Sequence, residues 1–369
     1  AGNEPSGNSD SNNPFSATIG TPPVYRQPTL YYSNLDSYAS SGGALGPQNL
    51  TTLFGKHQTP NTMNFSLGIQ KQISDMVIDA SYVGSLSRSL YVLRSINPIP
   101  MFSRFDPRNF DPTQPGRPLP DNFFRPYSGL GDVSAYEHIA TANYHSFQLS
   151  TTRRWSRGLQ YGLAYTWAKT LGLANSDTVS ISPYFDFRHR NYGRLSFDRT
   201  HVLVLHYIYD LPGLGKRLRV RPLGWLTDNW QISGITSFVS GAPFTPGFST
   251  VDGQDITGSA EGPRINIAGN PNLPKSQRTF FRNFNTDAFQ RPGLRDFGNA
   301  GVGILRGPGT NNWDISISKR FPLFSEARYF QFRTELFNAW NHTQFSGLFT
   351  TARFDAQGRQ VDANFGAYS

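Results

Sequence analysis

The sequence contains no cysteine among its 369 residues. A disulfide framework and a thiolate metal site are therefore excluded, while the redox compartment stays open. No segment approaches the ~18 consecutive apolar residues that a membrane-spanning helix requires. Strands of a membrane barrel remain allowed, because they alternate and are polar on average. Residues 1–13 lack a signal-peptide pattern, so we expect that a signal was removed or that the chain begins inside a longer protein.

Acidic residues are the minority, since 34 Lys and Arg against 25 Asp and Glu give a net charge of +9. The positive charges form no basic helix and no RNA-binding signature. This pattern predicts a charged rim near lipid head groups or acidic sugars, and no nucleic-acid partner. The arginines in question stand singly at strand ends and in loops: Arg88, Arg94, Arg188, Arg190, Arg194 and Arg282.

Catalytic motifs are also lacking. The seven histidines show no His-Glu-x-x-His spacing, and there is no nucleophile elbow or phosphate-binding loop. Asp252 and Asp255 resemble part of a calcium loop, but the later glutamate is missing. Asp186, Asp198 and Arg199 are expected to form structural ion pairs. We therefore predict no enzymatic activity, no cofactor and no metal site.

What the sequence has in abundance is aromatic and turn-forming residues. It contains 29 phenylalanines and 17 tyrosines beside 35 glycines and 26 prolines. Aromatic residues favour strands, whereas glycine and proline favour turns, so the composition predicts an all-β protein.

Apolar and polar residues alternate with period 2 along several segments, as strands require. The polar positions are mainly Ser, Gln, Thr, Asn and Gly, which suits a water-filled lumen better than the Lys- and Glu-rich face of a soluble sandwich. The alternating segments are residues 64–73, 144–155, 159–168, 203–209, 313–318 and 330–336.

Short and long connections alternate between these strands. The short or medium turns are residues 74–75, 156–158, 212–229 and 322–325, and the long connections are residues 95–141, 171–199, 241–309 and 341–369. Outer-membrane barrels have short periplasmic turns and long extracellular loops. We therefore predict an antiparallel up-and-down β-barrel of the outer-membrane type, with short turns at one end and long loops at the other.

Tryptophans fall near predicted strand ends, where an interfacial aromatic girdle would contact the membrane surface. They are Trp155, Trp167, Trp230, Trp313 and Trp340. In this division of the chain, residues 1–60 are an N-terminal extension with the first strand region. Residues 61–369 are barrel hairpins with long loops.

A ligand surface, if there is one, is expected in the long loops, where aromatic side chains can stack on sugars or peptides. The alternative is that these aromatics pack the loops onto one another. The candidates are Phe123, Phe124, Tyr127, Tyr184, Phe185, Phe280 and Phe281.

Several segments of the chain carry a recognisable order of motifs. The first hairpin is Phe65-Ser-Leu-Gly-Ile-Gln-Lys-Gln-Ile73 with Ile78-Asp-Ala-Ser-Tyr-Val-Gly-Ser85. The most distinctive run joins Phe297-Gly-Asn-Ala300 with Arg306-Gly-Pro-Gly309 and Asn312-Trp-Asp314. In this order the segments resemble the C-terminal half of TonB-dependent receptors of the Oar-like family.

The resemblance implies a signal peptide, a carboxypeptidase-regulatory-like domain, a plug and a barrel of about 22 or more strands in the bacterial outer membrane. The implied activity is energy-coupled uptake or surface adhesion, with membrane lipid as a partner. This chain shows no TonB box and no plug, so TonB is expected as a partner only if a longer chain carries the plug. It ends at Phe365-Gly-Ala-Tyr-Ser369, before the last aromatic strand of the family.

Strands cut from a larger barrel would leave two open edges, and open edges pair with something. One alternative is therefore an extracellular filament or tube of copies joined through strand edges and an N-terminal tail. The tail residues expected to dock on a neighbouring copy are Asn3, Pro5, Asn8, Asn13 and Phe15.

Overall fold

The computed structural model describes residues 48–55, 58–127, 129–173, 175–176, 179–323 and 325–369. Strands dominate it. They are β1 Gln48–Leu53, β2 Asn61–Ile73, β3 Met76–Ser95, β4 Leu130–Ser156, β5 Leu159–Gly172, β6 Gly193–Arg194, β7 His201–Asp210, β8 Trp230–Val239, β9 Pro243–Phe244, β10 Gly247–Thr250, β11 Asn266–Ile267, β12 Phe289–Gln290, β13 Leu305–Arg306, β14 Thr310–Leu323, β15 Ser325–Leu336 and β16 Thr351–Phe354.

The helices are short. The α-helices are α1 Phe187–Asn191, α2 Leu214–Leu218 and α3 Arg221–Thr227. Single 3-10 turns span Ser103–Phe105, Pro107–Asn109, Asp121–Phe123, Lys275–Gln277 and Thr286–Ala288. No helix of the described residues is long and apolar enough to cross a membrane.

The described chain divides into two compact units. The first contains the described residues within 48–54, 94–136 and 258–260, and the second those within 55–93, 137–257 and 261–369.

The second unit is built on a sheet in which the main strands follow one another in the order β15-β14-β8-β7-β5-β4-β3-β2. Each strand pairs with its neighbour in the chain, so the connectivity is up-and-down. Ile73 pairs with Met76, and Ser156 with Leu159, across tight turns. Arg157 and Gly158 of the second turn both have positive φ, as a two-residue hairpin turn requires.

Connection length alternates as the sequence predicts. Residues 74–75, 157–158 and 211–229 connect strands at one end of the sheet, where β14 also ends and β15 begins, and we call it the turn end. Residues 96–129, 173–200, 240–309 and 337–369 leave strands at the other end, the loop end. The connection formed by residues 211–229 is more than a simple turn. It contains α2 and α3, whose backbones approach closely at Gly215 and Gly224.

Directly opposed residues in the register share a face. One face of the sheet is rich in Leu, Ile, Phe, Tyr and Trp, and we call it the apolar face. It includes Leu67, Ile69, Phe147, Leu149, Leu163, Tyr165, Trp167, Leu203, Leu205, Ile232, Phe238, Ile315, Ile317, Phe330 and Phe332. The opposite, polar face carries Ser66, Gln70, Gln148, Ser150, Ser233, Ser237, Asp314, Ser316 and Glu335, together with Val204 and Ile235.

The apolar face has the height of a membrane. Trp230 and Phe238 lie on this face at the turn end and the loop end of β8. Their separation of eight positions corresponds to about 27 Å along the strand, which a barrel tilt of about 40° reduces to about 20 Å. This is close to the ~25 Å apolar band of outer-membrane barrels.

Residues 240–257, 261–309 and 337–369 fold into what we call the loop layer. Three strand pairs organise it: β9 with β13, β10 with β16, and β11 with β12. Its core contains Ile265, Phe284, Phe289, Leu305, Phe354 and Phe365, all buried. Phe284, Phe289 and Phe365 meet edge to face, with centroids 5.2 to 5.6 Å apart. These long connections therefore have a hydrophobic core of their own.

The first unit contains most of the connection between β3 and β4. β1 pairs in parallel with the first part of β4. Buried Asn97 donates to the Gly131 carbonyl at 2.9 Å and accepts from the Tyr127 amide at 2.8 Å. Arg104 forms a two-pronged ion pair with Asp121 at 2.8 and 2.7 Å.

The structure departs from the sequence predictions in two respects. β4 begins at Leu130, well before the predicted start at Tyr144, because β1 supplies it with a partner strand. The β1–β4 and β10–β16 pairs and the isolated Leu93–Ser180 bridge are parallel, although the sequence predicts an antiparallel protein. Within the described residues the sheet is open, with β2 and β15 at its edges, as expected for strands of a larger barrel.

Candidate functional site: the loop layer and the apolar face

A buried carboxylate ties the loop layer to the loop end of the sheet. Asp198 has no exposed surface and accepts the Thr170 amide at 2.6 Å. Arg306 of the loop layer forms an ion pair with the same carboxylate and donates to the Gly241 carbonyl at 3.0 Å. Arg194 approaches Asp198 at 3.4 Å. The carboxylate charge is thus offset by two guanidinium groups, which is what makes its burial tolerable.

A second ion pair joins the 173–200 connection to the loop layer. Arg190 pairs with Glu261 at 3.0 Å and donates to the Gly298 and Phe297 carbonyls at 3.0 and 2.9 Å. Burial lowers the pKa of the neighbouring Arg264 guanidinium, and the Arg190 charge acts in the same direction, while Glu261 opposes it. The arrangement is structural, since its donors and acceptors are used within the protein.

Asp186 has a different role from the ion pair expected of it. Its carboxylate caps α1 by accepting the Arg188 and His189 amides at 2.9 Å. These bonds, with that of His189 the stronger, hold the pKa of Asp186 below its usual value. Arg199 donates to the Ser196 and Asp198 carbonyls rather than to a carboxylate.

The predicted ligand-facing aromatics of the second unit fall into two places. Tyr184 and Phe185 pack on Phe297, with Phe185 edge-on at 4.9 Å. Phe280 contacts Phe281, Phe345 and Tyr368, so it packs one loop on another. Phe281 is 69% exposed, which leaves most of its ring open to a ligand.

The remaining candidate aromatics, Phe123, Phe124 and Tyr127, belong to the first unit. Phe123 ends a 3-10 turn and is 71% exposed, whereas Phe124 is half-buried. Tyr127 is exposed at its ring, while Asn97 holds its backbone on both sides.

The predicted girdle tryptophans lie toward the two ends of the sheet. Trp167 and Trp313 are on the apolar face toward the loop end, where Trp313 packs edge-on against Phe238 and Trp340. Trp230 and Trp155 lie at the turn end, and the Trp230 ring is 4.9 Å from Lys319 Nζ. Trp225 in α3 was not among the predicted girdle residues, but it is 70% exposed at the turn end.

The tail residues Asn3, Pro5, Asn8, Asn13 and Phe15 lie outside the described residues. Among the described residues, no group of three or more His, Asp or Glu side chains is arranged to hold a metal ion. Asp252, which resembles a calcium ligand in sequence, instead pairs with Arg291 at 2.9 Å. That hydrogen bond lowers the pKa of Asp252.

Arg306 is the residue of this region that sequence reasoning missed. Its signal was the Arg306-Gly-Pro-Gly309 run, which carried the family resemblance but has no catalytic or binding signature. Only the fold brings it to Asp198, 108 positions away in the chain.

A sequence model described as "Outer membrane beta barrel domain" matches residues 1–369. The chain belongs to this family. The all-β fold and the bacterial outer-membrane location predicted from the sequence are thereby confirmed for this outer membrane beta barrel domain.

Among solved structures, the domain is similar to the outer membrane transporter YddB from Escherichia coli. The TM-score is 0.39 and the identity 12%, over 85% of this chain and 32% of that one. The domain thus spans about a third of the length of the transporter it matches. No curated protein sequence matches it.

Proposed function

We propose that this outer membrane beta barrel domain is part of the wall of a TonB-dependent receptor of the Oar-like kind, which binds its ligand at the loop layer and has no catalytic role. The supporting observation is that, among the described residues, the long connections leave one end of the sheet and those of the loop layer fold around an apolar core. A folded loop layer can present a fixed surface to a ligand, because ordered loops lose little further entropy on binding.

The ligand surface we propose includes Phe281, whose ring is held by the edge-to-face contact with Phe280 at 4.9 Å. A rigid exposed aromatic ring can stack on a sugar or a peptide side chain. Since Phe280 itself packs on Tyr368, it serves to position Phe281.

The receptor proposal is tested by its energy-coupling partner. The protein extracted from outer membranes in mild detergent would be mixed with the purified periplasmic domain of TonB, and binding measured by co-purification. We expect the two to bind if the barrel works with a plug, whereas residues 1–369 expressed alone should not bind. Failure of the membrane-extracted protein to bind TonB would contradict the receptor proposal.

A second candidate function rests on the edges of the sheet. Within the described residues β2 and β15 each pair on one side only. The rest of a larger barrel would satisfy them, and so would neighbouring copies in an extracellular tube. The family match over the whole chain favours the larger barrel over an assembly of copies.

Negative-stain electron microscopy with and without detergent separates these candidates. Isolated particles that need detergent are expected for the receptor. Ordered tubes that persist without detergent would instead support the structural role.

A further inference from the structure

Basic side chains cluster on the apolar face at its loop end. His145 on β4 lies directly opposite Lys169 on β5, and two positions further Leu171 lies opposite Arg194 on β6. Because alternate residues of a strand share a face, Lys169 and Leu171 point to the same side, and so do His145 and Arg194. These basic groups therefore lie on the side of the sheet that faces lipid.

The cluster lines a cavity of about 410 Å³. Its walls are aromatic: Tyr82 stacks on His145 at 6.1 Å, with Tyr82 Oη 2.6 Å from His145 Nδ1. Phe147 and Trp167 complete the apolar part, and the Trp167 ring is 57% exposed. Cations at the rim and aromatic rings along the wall make this cavity complementary to the head-group region of an anionic lipid.

The positive charge of the cavity is largely uncompensated. Lys169 is exposed and makes no ion pair or hydrogen bond with any residue that the structure describes. Arg194 shares the Asp198 carboxylate with Arg306, at the longer distance of 3.4 Å. The acidic residues of the paired strand positions lie on the opposite, polar face, and two of them, Asp79 and Asp210, lie toward the turn end, away from the cavity. The four are Asp79, Asp210, Asp314 and Glu335.

We propose that this cavity binds the phosphate group of an anionic glycolipid of the outer leaflet, lipid A being its chemical type. The long connections of outer-membrane barrels are extracellular, so the loop end of the apolar face lies at the outer leaflet. The phosphate sits between Lys169 and Arg194, where it forms charge-assisted hydrogen bonds. The sugar and the first acyl carbons pack on Trp167 and Tyr82.

The inference depends on the outer-membrane family, which is shown, and not on the receptor role. A negative result with TonB therefore leaves it standing. It also gives a role to part of the positive net charge of the chain, because the basic residues of the cavity would contact the anionic outer leaflet.

The test measures the affinity of the protein, extracted from outer membranes in mild detergent and freed of lipid, for diphosphorylated lipid A. Lys169→Gln is the informative variant. Lys71→Gln is the matched control, because Lys71 is exposed on the same apolar face opposite Ile78, near the turn end. Both variants remove one positive charge from that face, so they differ only in position. Native mass spectrometry counts the bound lipid, and melting temperatures of the variants verify folding.

We expect Lys169→Gln to weaken lipid A binding by about tenfold or more, since one hydrogen bond between charged groups is lost. Lys71→Gln should change it less than about twofold. Fully dephosphorylated lipid A should bind the wild type more weakly than the Lys169 variant binds the phosphorylated form, because the contacts of both Lys169 and Arg194 with phosphate are then lost. Equal affinities of wild type and Lys169→Gln would overturn the proposal. Displacement of lipid A by millimolar inorganic phosphate would overturn it too, because the cavity would then be a site for the free anion.

Discussion

Asp198 is the residue on which the attachment of the loop layer depends most. Replacing it with asparagine leaves the half-buried guanidinium groups of Arg194 and Arg306 without the buried carboxylate that offsets their charge. We expect Asp198→Asn to lower the free energy of unfolding by about 3–5 kcal/mol, the usual result of breaking a buried ion pair. Thermal unfolding in detergent measures the loss.

The matched control for Asp198 is Asp287→Asn. Asp287 pairs with Arg282 at 2.6 Å, but its side chain is 80% exposed. Its loss should cost no more than about 0.5 kcal/mol. Equal costs at the two positions would mean that burial of Asp198 contributes nothing.

Asp121 is expected to make the first unit sensitive to acid. Its two hydrogen bonds to Arg104 lower the pKa of the carboxyl in the folded state, and burial only partly opposes them. Because the pKa of Asp121 is lower in the folded state, its ionised carboxyl stabilises the fold. This stabilisation is fully present above the unfolded pKa of about 3.9 and is lost as the pH falls through the folded pKa. The protection factors of the amides of residues 121–124 against hydrogen exchange, corrected for the intrinsic pH dependence of exchange, should therefore fall below about pH 4.

The Arg104→Gln variant provides the comparison for Asp121. Without the guanidinium, the pKa of the Asp121 carboxyl should be similar in the folded and unfolded states, so the loss of protection at low pH should be much smaller. An unchanged pH profile in this variant would contradict the role assigned to the ion pair.

At the scale of elements, Gly298 sets how closely two segments of the loop layer approach. Its φ is +68°, and a Cβ there would lie 1.7 Å from the Arg264 carbonyl oxygen. Gly253 has a similar φ of +62°, but nothing lies within 4 Å of its Cβ position. Comparing the two glycines therefore distinguishes the cost of a left-handed backbone, which both share, from the cost of the close approach, which only Gly298 has.

We expect Gly253→Ala to cost about 1–2 kcal/mol, the penalty of a left-handed conformation. Gly298→Ala should cost more, because the Arg264 carbonyl must also move. Limited proteolysis should then cut residues 261–309 faster in the Gly298 variant. If both variants are cut at the same rate, the close approach at Gly298 contributes nothing to the stability of the loop layer.

At the scale of the whole molecule, the two faces of the sheet in the second unit predict which side contacts lipid and which side faces water. Leu205 and Val204 are adjacent on β7, but Leu205 lies on the apolar face and Val204 on the polar face. Leu205→Arg should therefore lower folding stability in lipid by about 2–4 kcal/mol, as for arginine on a lipid-facing wall. Val204→Arg should cost clearly less, because water in the lumen can solvate it.

Folding of both variants into lipid vesicles, followed by denaturant titration, checks this prediction. Similar losses for the two adjacent positions would mean that the faces are wrongly assigned to lipid and lumen.

Several features of the fold were predictable from the sequence because they depend on local pattern. Alternation defined the hairpin strands, since side chains of a strand point to opposite faces with period 2. Arg157 and Gly158 marked a tight turn by their chemistry. The contrast between short and long connections followed from the spacing of these strands, and it predicted the outer-membrane class without any contact information.

Other features required the tertiary structure because they join residues far apart in the chain. The early start of β4 depends on pairing with β1, and the core of the loop layer joins Ile265 to Phe365. The ligand-facing role of Phe281 stays a prediction, but its exposure and the packing of its neighbour Phe280 could not be read from the sequence.

The sequence by itself determined the strands, their alternating faces and the ends at which long connections leave, because these depend on near neighbours in the chain. The tertiary structure decided which distant groups meet: Arg306 with Asp198, and His145 with Lys169 at the rim of one cavity. Such pairs carry no local signature, since strand register and loop packing, rather than sequence spacing, bring them together.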